Sequence, residues 1–249
     1  MIEVRDLSIT MKGKHITHHV EFTIARGKIT SLIGESGSGK SMTVSAVLGM
    51  LPADAKVSGA IMYEGRNLLD MSDQEMESVK KQDIFTIFQD ASNSFNPSVK
   101  MRHQLYAFSG KRVGDTLQVF NEKMLSILDK LGLSWEVVER YPFQLSGGML
   151  QRCMIACAFY VEPALLIADE PTSALDMVLQ KEFIEWLIRL NEERGTTILL
   201  ITHDLDIVAE AAHEMAVMQQ GSIVETGKVE TVFWNARHAY TKRLLESRF

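Results

Sequence analysis

The sequence lacks the features that mark membrane-spanning, secreted or nucleic-acid-binding proteins. No apolar run among its 249 residues approaches the ~20 residues needed to span a bilayer. The first ten residues, MIEVRDLSIT, have neither the charged region nor the apolar region of a signal peptide. With 26 basic and 32 acidic residues and a net charge of −6, no basic excess favours nucleic-acid binding. We therefore expect a cytoplasmic protein with no nucleic-acid partner.

Cysteine is scarce, whereas apolar residues are plentiful. The two cysteines, Cys153 and Cys157, are four residues apart in a segment with a helical pattern, which places both on one helix face. Unpaired cysteines are usually buried, so we predict two buried thiols. An apolar content of 46% is enough for a sizeable core, and the length allows one large domain or two small ones.

Residues 3–33 show three strand patterns, EVRDLSIT, HITHHVEFTIA and KITSLI. Alternation in the second pattern separates His15 from His19 by about 13 Å and turns His18 to the other face. We therefore predict that these histidines form no metal site. The alternation predicts one shared face for Ile16, His18, Val20, Phe22 and Ile24.

Buried strands alternate with helices along the rest of the chain, which predicts an α/β fold with a parallel sheet. Helical patterns occupy residues 99–161, and the buried strands ALLIADE and TTILLITHD follow. The helix between these two strands ends at Gly195, and its apolar stripe is predicted to face inward through Phe183, Trp186, Leu187 and Leu190. A helical insert between two sheet strands predicts a subdomain beside the sheet.

The segment GESGSGKS is the strongest single motif. It matches G-x4-G-K-[ST] and lies between a buried strand and an apolar helix, which is the context that a phosphate-binding loop requires. Backbone N–H groups would surround the phosphates, Lys40 would reach the β- and γ-phosphates, and the Ser41 hydroxyl would bind Mg²⁺. The predicted nucleotide-binding residues here are Gly34, Glu35, Ser36, Gly37, Ser38, Gly39, Lys40, Ser41 and Met42.

Polar side chains also follow three other buried strands. Asp169 and Glu170 end LLIADE; we predict that Asp169 holds Mg²⁺ and that Glu170 orients or deprotonates the attacking water. His203 leaves its strand toward the same sheet edge, where it could sense the γ-phosphate. Gln89 could bind Mg²⁺ or hold a water molecule. Alone, each would be a weak signal; beside a phosphate-binding loop they predict catalysis.

A second glycine pair lies in YPFQLSGGMLQR, residues 141–152. Gly147 and Gly148 stand behind Ser146 at the predicted start of a helix, an arrangement that favours an anion. One chain therefore carries two phosphate-binding loops.

Together, GESGSGKS, Gln89, LSGGM, LLIADE, SALD and His203 occur in the order found in ATP-binding cassette (ABC) ATPases, and the resemblance covers nearly the whole chain. It implies a RecA-like P-loop NTPase core at 1–90 and 160–249, with an N-terminal antiparallel β subdomain and an all-helical subdomain at 91–159. It also implies a head-to-tail dimer in which Ser146, Gly147 and Gly148 complete the partner's ATP site. Asp176, in SALD, resembles the loop through which the two sites communicate.

Finer features resemble importers of peptides and nickel. The segments QDASNSFNP and YPFQLSGGMLQR are most similar to the nickel or metal-chelate import ATPase, and the chain stops at Phe249 without the cysteine cluster of peptide importers. Met11 stands where the family usually has an aromatic residue that stacks on adenine, so we expect weaker discrimination between ATP and GTP.

The resemblance implies ATP and Mg²⁺ as cofactors and a peripheral location on the cytoplasmic face of the membrane. The implied partners are a second ATPase subunit, in a heterodimer or a homodimer, two membrane permease subunits and, indirectly, an extracytoplasmic substrate-binding protein. Coupling to the permease is predicted to run through Gln89 and the DASNSFNP segment that follows it. The alternative is a stand-alone cassette ATPase without a transport role, such as one for iron–sulfur cluster assembly.

Overall fold

A computed structural model describes residues 1–89, 91–173 and 175–246, with the side chain of Ser92 also left undescribed. Asp90 in the predicted coupling segment and Ala174 in SALD therefore lie outside the described residues. The strands are β1 (Ile2–Met11), β2 (Lys14–Ile24), β3 (Ile29–Ile33), β4 (Lys56–Tyr63), β5 (Arg66–Asn67), β6 (Ile84–Ile87), β7 (Leu165–Asp169), β8 (Thr197–Ile201), β9 (Glu214–Gln219) and β10 (Ser222–Lys228).

The α-helices are α1 (Lys40–Val47), α2 (Asp73–Gln82), α3 (Met101–Phe108), α4 (Gly110–Val113), α5 (Leu117–Lys130), α6 (Gly147–Val161), α7 (Met177–Arg194), α8 (Leu205–Ala211), α9 (Val229–Asn235) and α10 (Ala239–Glu246). Short 3₁₀ turns occur at Leu68–Asp70, Ala91–Ser94, Trp135–Glu139 and Pro142–Gln144. None of the described helices combines the length and apolarity needed to cross a bilayer.

The chain forms two compact units. The first comprises Met1–Lys80 and the described residues from Thr197 onward, and the second comprises the described residues of Lys81–Thr196. The predicted helical segment 91–159 lies within the second unit, together with β6, β7 and α7. The proposed boundaries of the core and of the helical subdomain stay a prediction.

The first unit contains an antiparallel sheet in the order β2-β1-β4-β5, in agreement with the N-terminal antiparallel subdomain that the resemblance implies. The predicted faces of β2 are correct for Val20, Phe22 and Ile24, which are buried, but wrong nearer its start. The strand is irregular there, because His19 adopts φ 45° and the pairing register with β1 shifts. Thr17 is buried in consequence, and the rings of His15 and His18 are neighbours, with centroids 5.2 Å apart.

A second group of strands in the first unit has the order β10-β9-β3-β8. β3 pairs parallel with both β8 and β9. Every residue of β3 and β8 is buried, which explains their continuous apolar sequences, since parallel strands are covered on both faces. Apolar side chains of β3, β9, α8, α9 and α10 form one core cluster beside them, comprising Ile33, Leu205, Val208, Met215, Val217, Val229, Val232 and Tyr240.

In the second unit β6 and β7 pair in parallel, and the described residues 99–161 contain helices joined by loops and no strand, as predicted. Helix α7 begins at the N-cap Asp176 and ends at Gly195, which has φ 66°. Its buried residues are Phe183, Ile184, Leu187, Leu190 and Asn191. The prediction that Trp186 faces the core is only partly correct, since its side chain is half-buried.

Both cysteines are fully buried on α6, as predicted. Loss of solvation raises the pKa of the Cys153 thiol to about 12 and raises the pKa of Cys157 as well. Because the reactive form of cysteine is the thiolate, these side chains act as small apolar groups in the core.

Candidate nucleotide-binding and catalytic site

The GESGSGKS loop joins β3 to α1 in the first unit. Gly34, Gly37 and Gly39 have φ values of 152°, 80° and 108°, which glycine adopts readily and other residues rarely do. At Gly34 the backbone also passes so close to β9 that an added Cβ would overlap the carbonyl oxygen of Met218. Glycine is therefore required at this position by both backbone conformation and packing.

Lys40 lies under this loop with only 6% of its surface exposed. Its ammonium group donates hydrogen bonds to the carbonyl oxygens of Gly34, at 2.7 Å, and Glu35, at 3.0 Å. The loop backbone thus positions the side chain that the motif assigns to the phosphates.

Two residues outside the motif also hold the loop in place through hydrogen bonds. The Gly221 N–H donates to the Ser38 carbonyl oxygen at 2.9 Å, and the Glu35 N–H donates to the Tyr240 hydroxyl at 3.0 Å. Sequence reasoning missed both residues. Tyr240 is 205 positions from its partner, and no local pattern signals so distant a contact.

His203 follows the strand next to this loop. β8 is parallel to β3, with Ile201 opposite Leu32, and the Thr202 N–H donates to the Leu32 carbonyl oxygen at 3.4 Å. His203 is exposed at the carboxyl end of β8, which is the sheet edge where α/β folds bind ligands. The first unit therefore brings His203 and the glycine loop to the same edge.

The loop residues fit a phosphate ligand. The buried Ser38 hydroxyl has no hydrogen-bond partner in the described part of the chain. Glu35, Ser36 and Gly37 are exposed, and the space around Gly37 is open. The loop leads into α1, whose N-terminal N–H groups favour an anion. Ser41 is exposed and Met42 half-buried in the first turn of that helix, and Met11 is half-buried at the end of β1.

The predicted acidic residues and Gln89 belong to the second unit. β6 and β7 are parallel, with Ile87 opposite Ala168, so Gln89 and Asp169 follow neighbouring strands at the same edge. Glu170 has φ 47°, a conformation that costs a non-glycine residue about 1–3 kcal/mol and is common at functional sites. Its carbonyl oxygen accepts hydrogen bonds from the Ser173 N–H and hydroxyl, at 3.3 and 3.1 Å.

The LSGG segment begins α6, as the sequence predicts. Ser146 is the N-cap, and its hydroxyl accepts a hydrogen bond from the Met149 N–H at 3.3 Å. Ser146 and Gly147 are exposed, whereas Gly148 is buried. A Cβ added at Gly147 would have no atom within 4 Å, but one added at Gly148 would lie 2.5 Å from a methyl carbon of Leu179. The first glycine is open to a ligand, and the second allows α6 to pack on α7.

Hydrogen bonds link these elements within the second unit. The buried Gln151 amide of α6 donates to the Pro171 carbonyl oxygen at 2.8 Å, next to Glu170. The Asp176 carboxylate accepts from the N–H groups of Val178 and Leu179 at 3.0 and 2.9 Å. The Gln151 hydrogen bond thus joins α6 to the turn after β7, and Asp176 fixes the start of α7. Gln151 is a further residue that sequence reasoning missed.

Comparisons with known proteins agree with this geometry. The family model described as "ABC transporter" matches residues 17–173. The oligopeptide transport ATP-binding protein OppD of Bacillus subtilis is 38% identical over 255 residues, covering 99% of this chain and 71% of that protein. The metal-staphylopine import system ATP-binding protein CntD of Staphylococcus aureus is 33% identical over 252 residues, covering 100% of this chain and 93% of that protein.

A solved structure of an ATP-binding subunit of an ABC transporter has a TM-score of 0.81 at 25% identity, covering 100% of this chain and 99% of that one. This similarity confirms the predicted fold, which is a P-loop NTPase core with a helical subdomain.

Proposed function

Because the chain belongs to the ABC transporter family of ATP-binding subunits, which bind ATP and couple its hydrolysis to transport, we propose that it powers import of a metal chelate, such as a nickel complex, or a peptide. The observation that carries this proposal is that one chain contains two phosphate-binding loops. One is closed around Lys40, and the other leaves Ser146 and Gly147 exposed. The relatives named for oligopeptide transport and for metal-staphylopine import support the cargo class.

Phosphate binding is assigned to the loop from Gly34 to Met42. Its N–H groups surround the phosphates, and Lys40, already positioned by the two loop carbonyls, contacts the β- and γ-phosphates. Mg²⁺ would be held by Ser41, Gln89 and Asp169, where it would neutralise charge on the phosphate oxygens.

Hydrolysis is assigned to residues at the carboxyl ends of the strands. Glu170 accepts the proton of the attacking water, Gln89 helps to orient that water, and His203 contacts the γ-phosphate. Ser173 closes a turn by donating a hydrogen bond to the Glu170 carbonyl oxygen. This turn orients Glu170.

The exposed Ser146–Gly147 segment acts on the ATP of a second cassette. The open space at Gly147 and the N-terminal N–H groups of α6 suit a γ-phosphate that arrives from outside the chain. Asp176, which caps α7 beside this segment, connects the two sites of the dimer. The second cassette is another ATPase subunit or a second copy of this chain.

The dimer works at the cytoplasmic face of the membrane with two permease subunits, and an extracytoplasmic binding protein supplies the cargo. A stand-alone ATPase for iron–sulfur cluster assembly is not favoured, since the relatives described above are named for oligopeptide transport and for metal-staphylopine import.

Dimer formation tests the role of the exposed loop. In a Glu170→Gln background, ATP should convert the monomer to a dimer, measured by light scattering after size-exclusion chromatography. Adding Ser146→Arg should abolish the dimer while the isolated chain still binds ATP. Gln118→Arg, on the exposed face of α5, adds the same charge and should still dimerise. Loss of ATP binding by the Ser146→Arg monomer would contradict action on a partner's nucleotide.

Transport tests the cargo. Cells that carry Lys40→Ala should lose uptake of radiolabelled nickel supplied with a chelator, or of a labelled oligopeptide, relative to cells with the unaltered chain. Normal uptake of both would refute the import proposal.

A further inference from the structure

The second unit contains a groove that no step above uses. Its volume is ≈ 830 Å³, within the range of small-molecule sites. The groove is lined by the C-terminal halves of α5, α6 and α7 and by residues before α5, all within the second unit. It is open to solvent, and its walls combine aromatic rings with charged side chains.

One wall consists of the half-buried Trp186 and its neighbours. The rings of Trp186 and Phe159 meet edge to face, with centroids 5.7 Å apart and an interplanar angle of 90°. The Arg189 guanidinium lies 4.8 Å from the centroid of the Trp186 ring. An arginine stacked on an aromatic ring keeps its in-plane N–H groups available for a carboxylate or similar oxyanion. The wall thus offers an aromatic surface beside a pre-oriented anion-binding group.

Two of the cations that line the groove are already paired with carboxylates. Lys123 donates to the Asp115 carboxylate at 2.8 Å, and the Tyr160 hydroxyl donates to the same carboxylate at 2.7 Å. These hydrogen bonds lower the pKa of Asp115, so it stays ionised and offsets the lysine charge. Arg194, a second lining cation, pairs with Glu162 at 3.1 Å.

The remaining charges are Lys130, Arg189 and Glu193. Within the described part of the chain, neither Lys130 nor Arg189 has a carboxylate within 4.0 Å. The lining therefore has four cations and three acids, an excess of one positive charge. That balance suits a monoanion. A nucleotide triphosphate, with several negative charges, would lack both the charge partners and a glycine loop here.

We propose that this groove binds a planar aromatic monoanion, with its ring against Trp186 and its carboxylate or sulfonate on Arg189. The inference does not depend on the proposed transport function, because every group in it belongs to the groove. Lys130 adds long-range attraction from the α5 wall, and Phe159 fixes the indole ring that the ligand covers.

The test uses 1-anilinonaphthalene-8-sulfonate, an aromatic monoanion with a planar naphthalene ring, whose fluorescence rises in apolar sites. ATP at saturating concentration keeps the probe out of the nucleotide site. We expect saturable binding of one probe per chain. Energy transfer from Trp186, measured in a Trp135→Phe/Trp234→Phe background that removes the other two tryptophans, should disappear when Trp186→Phe is added. Arg189→Gln should raise the Kd about tenfold or more, as expected for loss of a charge-assisted hydrogen bond.

Two controls separate the groove from general binding. Lys181→Gln removes an exposed cation from the same helix, outside the groove, and should leave the Kd unchanged. The neutral analogue N-phenyl-1-naphthylamine should bind the unaltered chain more weakly and should not respond to Arg189→Gln. An unchanged Kd in Arg189→Gln, with circular dichroism confirming its fold, would overturn the proposal. Non-saturable binding, or energy transfer that persists when Trp186→Phe is added to the Trp135→Phe/Trp234→Phe background, would do the same.

Discussion

Replacing Gly34 by alanine tests whether the phosphate loop depends on its contact with β9. Gly34 has φ 152°, and an added methyl group would overlap the Met218 carbonyl oxygen and lie 2.9 Å from the Ser38 hydroxyl. Carbon and carbonyl oxygen normally approach to about 3.3–3.6 Å. The carbonyl cannot move away freely, because β9 pairs with β3 through Val217 and Ile33. Either the loop or the strand pairing must therefore shift.

The cost has two parts. A residue other than glycine in this backbone region costs of order 1–3 kcal/mol, and overpacking a filled site typically costs about 1–3 kcal/mol. We expect Gly34→Ala to lower the free energy of unfolding by the sum of these parts, about 2–6 kcal/mol. Gly37→Ala is the matched control, since Gly37 also has a positive φ of 80° but open space around it. Gly37→Ala should cost only the conformational part, about 1–3 kcal/mol.

Urea denaturation followed by circular dichroism, without nucleotide, measures both variants against the unaltered chain. The difference between Gly34→Ala and Gly37→Ala isolates the contact with Met218. If the two variants were equally stable, the packing argument would be wrong, and the glycine at position 34 would be needed for backbone conformation alone.

Three further changes test other parts of the site. Asp176→Ala removes the N-cap that holds the Val178 and Leu179 N–H groups and should cost ~1 kcal/mol in thermal unfolding; Asp176→Asn should retain most of that stability. At pH 8, which is below the raised pKa of about 12 for Cys153, the two thiols of the folded chain should not react with Ellman's reagent. The unfolded chain should release two equivalents of the coloured thiolate. Rapid reaction of the folded chain would contradict the burial of the two cysteines. Glu170→Gln should keep ATP affinity and lower the hydrolysis rate by about 10²–10⁴-fold, and near-normal turnover would exclude Glu170 as the base.

Local patterns in the sequence were sufficient to predict most strands, the helices of residues 99–161 and the motif residues. The strand before GESGSGKS and the helix after it depend on apolar spacing and glycine freedom, which are properties of near neighbours along the chain. The same holds for Ser146 and Asp176, whose caps act on N–H groups two or three residues ahead. Short-range hydrogen bonding and periodicity explain why these features are predictable.

The sequence by itself therefore determined the family, the order of the motifs and the side chains available for phosphate chemistry. Only the tertiary structure decided that Gly221 and Tyr240 hold the phosphate loop and that the irregularity at His19 buries Thr17. It also decided that Trp186 lines a groove with Arg189 instead of completing the core. Each of these depends on which distant segments pack together, and burial of apolar surface is non-directional, so a local pattern does not specify the partner.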